Sequence, residues 1–174
     1  MPDFARMPGF LGTTANFAAD MTLTLMVVAG VIFSYGAYVA KKAQAIERRY
    51  AKGSPEAAQA GRLFGRHRWL QTSGGVLTTL LALWIMVTPY SKFVAPSIPA
   101  RLGESFYLIT TVHALTGVFA FVVGNFVVLR GNRLVPTALR FQHYKPWMRA
   151  AYGLYMTTIL LGIAVYLVWY VFAG

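Results

Sequence analysis

Three histidines, His67, His113 and His143, carry most of the chemistry that the residue types of this chain allow. Neutral imidazole is the commonest biological ligand for iron, copper and zinc, and it titrates near neutral pH. His67 stands between Arg66 and Arg68, and His143 lies in Gln142-His143-Tyr144-Lys145, so both belong to basic stretches just ahead of an apolar run. Two such side chains on neighbouring elements can clamp one metal ion or a haem iron. An imidazole in a basic interfacial loop can equally do no more than bond to a lipid headgroup. His113 is different, because it sits inside an apolar run, where an ionisable group is expensive and points to function. Its plainer reading is a neutral ring hydrogen-bonded to a Thr or Tyr of another helix. At its depth the chain offers no second histidine, and Met86, Tyr166 or a histidine of another subunit are the candidate partners.

The absence of cysteine rules out disulfides, thiolate metal sites, iron-sulfur clusters and covalently attached c-type haem. No nucleophile and base pair suggests hydrolysis or group transfer, so the chain is not expected to be an independent enzyme. The cofactor stays unassigned, with haem the one that paired histidines suit.

The elements that must position these residues are four apolar runs, at 21–40, 69–89, 106–129 and 149–172. A hydrocarbon core of ~30 Å needs ~20 apolar helical residues, and each run has about that length. With 57% hydrophobic and 12% charged residues, the chain departs from the roughly 25% charge of soluble domains. These features predict an all-α integral membrane four-helix bundle: an external tail over 1–20, then one domain over 21–172. The tail lacks the apolar region of a cleaved signal. All Lys and Arg except Arg6, Lys92 and Arg101 fall in the first and third loops or at their edges. Cations resist translocation, so these loops are expected in the cytoplasm and both termini outside.

The net charge of +11 thereby has an explanation in topology and anionic lipid, and nucleic acid is not expected as a partner. Lys41, Lys42, Arg48, Arg49, Arg66, Arg68, Arg140 and Lys145 are the cations placed to meet headgroups or a protein partner. Asp20 reads as the N-cap of the first helix, and Ser54 with Pro55 opens the second. Pro96, Pro99 and Gly103 predict an irregular second loop, and 137–143 a short turn. No carboxylate is left inside the spans to run a proton or ion cycle, which disfavours a transporter or channel.

Polar and small residues recur at helical spacing within the spans. His67, Gln71, Gly74 or Gly75, and Thr78 share one face; Thr110, His113, Gly117, Ala120 and Gly124 share another; Tyr152, Tyr155, Ile159, Gly162 and Tyr166 a third. Such stripes face other helices, either to let backbones approach or to make room for a flat prosthetic group.

Arg66-His67-Arg68, the Tyr107 to His113 stretch, and His143-Tyr144-Lys145-Pro146-Trp147 leading to Gly162-Ile163-Ala164-Val165-Tyr166 occur in an order and spacing that resembles the CtaM-like small four-helix bacterial membrane proteins. The likeness covers roughly 65–169. That family is linked to maturation of haem-copper cytochrome oxidases. The resemblance implies a protein of the bacterial inner membrane whose own histidines are His67, His113 and His143, with Arg68 the basic neighbour. It further implies a non-catalytic accessory or assembly subunit of a respiratory or photosynthetic electron-transport complex. The alternative is a haem b protein exchanging electrons with quinone.

Overall fold

Four long helices organise the chain: α1 (Phe17–Arg49), α2 (Pro55–Leu81), α3 (Ser105–Gly131) and α4 (Tyr144–Tyr170). The computed structural model describes residues 7–139 and 143–172. Among them there is no strand, only an isolated bridge between Pro8 and Asn16.

Local chemistry explains the helix starts. The Ser54 side chain accepts from the Ala57 N–H at 3.1 Å and Pro55 occupies the first turn of α2, as expected. For α1 the expectation is corrected: Asn16 is the N-cap, accepting from the Ala19 N–H at 2.9 Å, and Asp20 lies inside the first turn. α4 also starts earlier than its apolar run, at Tyr144.

Among the described residues, α1, α3 and α4 are long and apolar enough to cross a membrane. α2 falls short because Arg62, Arg66, His67 and Arg68 occupy its first half. Its apolar run extends past the end of the regular helix, into π-helical turns over Ala82–Met86 and Tyr90–Val94 that flank Val87–Pro89. Pro89 has no N–H for the preceding turn, and such a gap favours a widened helix. The second loop is correspondingly more helical than expected, with turns over Ala95–Ser97 and Ile98–Arg101.

α1 packs most extensively on α2, and α3 on α4, while the two pairs touch each other more sparsely. Glycines mark where the side chains of one helix enter another. Phe33 of α1 lies against Gly74 of α2, where a Cβ would come within 2.7 Å of the ring. Tyr155 of α4 fills the space a Cβ on Gly124 of α3 would need. The two rings stack at 4.6 Å between centroids and, with Ala29 and Ala120, form the buried core. Met26 and His113 close on Gly162, Ile159 on Gly30 and Val128 on Gly75. The small-residue stripes therefore serve close helix approach, and the chain's own side chains fill the slots.

A buried carboxylate, which the sequence reading excluded, closes the opposite end of the molecule from the basic loops. Asp20 is 0% exposed. One oxygen accepts from the N–H groups of Phe10 and Leu11, at 2.6 and 2.7 Å, and the other from the Tyr166 hydroxyl at 2.5 Å. Thr13 then donates to Tyr166 at 2.7 Å, and the Thr14 hydroxyl to the Tyr170 carbonyl at 3.0 Å. Gly9 is required here, since a Cβ would lie 2.5 Å from both the Ala15 carbonyl and the Asp20 carboxylate. The segment before α1 is thus strapped onto α4 through Asp20 and through the direct bonds of Thr13 and Thr14.

Two outcomes follow for stability in detergent. Gly124→Ala, which overpacks the Tyr155 ring, should cost about 1–3 kcal/mol, whereas Gly117→Ala, whose Cβ would sit 3.6 Å from Thr158, should change thermal unfolding far less. Asp20→Ala leaves three donors without their acceptor and should cost about 3 kcal/mol. Limited proteolysis should then cut within residues 7–16; an uncut segment would refute the strap.

Candidate functional site

The site begins where α2 lies on the glycine face of α1. Gly36 has no side chain, so His67 and Gln71 reach the α1 backbone: His67 Nδ1 lies 2.8 Å from the Gly36 carbonyl, and Gln71 Nε2 donates to the Phe33 carbonyl at 3.1 Å. A carbonyl only accepts, so the neutral ring carries its hydrogen on Nδ1 and keeps the lone pair on Nε2. No described residue bonds that second nitrogen. Burial pushes the His67 imidazole below its ordinary pKa, and the Gly36 carbonyl offsets only part of this.

His113 repeats the arrangement between α3 and α4, with Nδ1 donating to the Thr158 carbonyl at 3.0 Å. The partner is a Thr of another helix, as the plainer reading expected, and the accepting atom is its backbone carbonyl. Its neighbour is also unanticipated. Met26 Sδ and His113 Cε1 lie 2.7 and 3.0 Å from the position a Gly162 Cβ would occupy, so α1 supplies the methionine. No local pattern around Met26 signals this, because the contact depends on how α1 meets α4.

His143 is exposed at the N-cap of α4, makes no side-chain capping bond, and borders a surface recess with Tyr144, Lys145 and Pro146. It does not border the cavity that holds His67. His143 and His67 thus line adjoining recesses that share Tyr144 and Lys145, and His113 lines neither. Among the described residues no group of three His, Asp or Glu side chains is arranged to hold a metal ion.

The cavity at His67 measures about 890 Å³ and opens between the two helix pairs, on the side of the Phe33–Tyr155 stack that faces the basic helix ends. Its deep wall is Phe33, Tyr155, Gly124, Val127 and Val128. Gln71, Thr72 and Asn132 follow, with Asn132 Nδ2 donating to the Thr72 hydroxyl at 2.8 Å. The rim carries Lys41, Arg68, Lys145 and Arg149 against one carboxylate, Glu47. The Tyr155 hydroxyl is buried without a hydrogen bond, and the Thr78 hydroxyl beside it donates to the Gly74 and Gly75 carbonyls.

Of the other cations singled out from sequence, Lys42, Arg48, Arg49 and Arg66 are exposed on the same helix ends, Arg66 lying 5.3 Å from the Tyr35 ring centre. Arg140 lies outside the described residues. Arg149, Asn132 and Phe33 are among the lining residues that sequence reasoning did not single out, whereas Tyr155 belongs to the stripe expected to face other helices or a prosthetic group. Chemically, the cleft offers one imidazole lone pair, several cations and an apolar floor.

No protein-family model, curated protein or solved structure matches the chain.

The fixed tautomer of His67 has a pH consequence. Its pKa is depressed in the fold from the ordinary 6.5, so the neutral ring supports folding above that pH. The contribution is lost as pH falls, because the unfolded chain takes up the proton more readily. Thermal unfolding should occur at lower temperature at pH 5 than at pH 8, and His67→Gln should flatten that dependence. An unchanged slope in the variant would contradict the assignment.

Proposed function

We propose that this chain is a four-span bundle of the bacterial inner membrane with both termini outside, serving as a non-catalytic accessory or assembly subunit of a respiratory or photosynthetic electron-transport complex. In this reading it holds haem through His67. Support for a fourth span comes from the helical path over 69–94, where α2 and the π turns together carry the apolar run. The orientation rests on the basic loops.

The observation that carries the haem reading is the His67 ring, fixed by a backbone carbonyl through Nδ1 and free at Nε2 on the wall of a cleft. An imidazole that donates its other N–H to a backbone carbonyl is the usual preparation of a metal-ligating histidine. The volume suits a small-molecule site of roughly 300–1,000 Å³. Bound there, haem would supply one-electron chemistry at iron, while the chain contributes one nitrogen ligand, cations for the acidic side chains of the ring, and an apolar floor. A single ligand fits handing on or chaperoning a haem better than permanent electron transfer, since a paired haem b needs a second imidazole and His143 borders a different recess.

Protein solubilised gently and titrated with haem should develop a Soret band whose position shifts on reduction. His67→Ala should abolish it and His143→Ala should leave it in place. Electron-transport subunits should co-purify, and the activity of their complex should fall when the chain is removed. A colourless protein after haem addition, together with normal complex activity in its absence, would overturn the reading.

A further inference from the structure

We infer that the cleft is a binding site for an acidic amphiphile, whose apolar body lies along the Phe33–Tyr155 floor and whose carboxylate or phosphate groups meet the rim cations. Polarity is graded along a single opening. The apolar wall of Phe33, Val127 and Val128 gives way to Gln71, Thr72 and Asn132, and then to Lys41 on α1, Arg68 on α2, and Lys145 and Arg149 on α4. Charges from three helices converge on one mouth, and Glu47 is the single carboxylate among the lining residues. None of the four cations is held in an ion pair among the described residues.

Like charges gathered around a low-dielectric cleft repel one another, and their field attracts an anion. An anion alone would not use the apolar floor, and a neutral apolar molecule would leave the cations unmatched. A molecule with both parts satisfies both. Basic pockets between membrane helices bind acidic lipid headgroups by this logic. The two carboxylates of a tetrapyrrole present the same chemistry, so the source is either a porphyrin-type dicarboxylate or an anionic phospholipid. The inference rests on the cleft being the ligand site, as in the reading above, and not on iron ligation by His67.

Metal-free probes separate the two. The full chain in phosphatidylcholine nanodiscs is titrated with protoporphyrin IX, with its dimethyl ester, and with phosphatidylglycerol in competition. Expected is at least tenfold tighter binding of the acid than of the ester, or displacement of the acid by phosphatidylglycerol; the arm that responds identifies the source. Arg68→Gln with Arg149→Gln should weaken binding of the responding probe at least tenfold. Arg68→Lys with Arg149→Lys should restore most of it, and Lys52→Gln with Arg62→Gln should leave it unchanged. Equal binding of acid and ester without competition, or binding indifferent to the rim charges in variants with unchanged thermal unfolding, would overturn the inference. Loss of the Soret band with retained probe binding would remove only iron ligation.

Discussion

The stack of Phe33 on Tyr155, seated between Gly74 and Gly124, is the contact on which the rest of the molecule depends. Lipid tails are as apolar as the helices, so helices in a membrane associate by close packing and by hydrogen bonds, with little hydrophobic drive between them. α1 with α2 and α3 with α4 achieve that packing readily as sequential neighbours. Joining the pairs requires a large surface inserted where backbones can spare the room. Two aromatic rings entering two glycine positions provide it. The same rings form the deep wall of the cleft, so the joint that unites the pairs also defines the depth of the space between them.

Backbone carbonyls supply the second recurring device. A helical carbonyl keeps one lone pair after its own helix is satisfied. His67 and Gln71 use it on α1, His113 on α4, and the Tyr144 hydroxyl reaches the Val127 carbonyl on α3 at 3.1 Å. These four side chains thereby find partners inside the helical body, as an apolar surrounding demands. For the histidines, the choice of acceptor also fixes which nitrogen stays available. Asp20 meets the same demand differently, drawing its donors from the segment ahead of α1 and from Tyr166.

Much of this was legible in residue order, and the reason lies in periodicity. The His67, Gln71 and Gly74 stripe faces α1, and the Thr110, His113, Gly117 and Gly124 stripe faces α4, because helical spacing alone puts such residues on one side. Asp20 was misjudged because a carboxylate at a helix start looks the same in sequence whether it caps its own helix or receives N–H groups from a preceding loop. Asn16, four residues earlier, is an equally good cap, and only the path of residues 7–15 decides between them. The π turns around Pro89 escaped notice because apolar runs carry no record of helix pitch.

Sequence by itself determined the all-helical character, the apolar runs, the concentration of cations at one set of helix ends, and the polar and small-residue stripes of α2, α3 and α4. These are properties of composition and spacing within single segments. Tertiary structure decided that the glycines receive Phe33, Tyr155, Met26 and His113, that His67 and His143 border different spaces, and that Lys41, Arg68, Lys145 and Arg149 share one mouth. Each of these depends on the rotation and height of one helix relative to another. Those are set by how side chains of distant segments interlock, and no single segment contains that information.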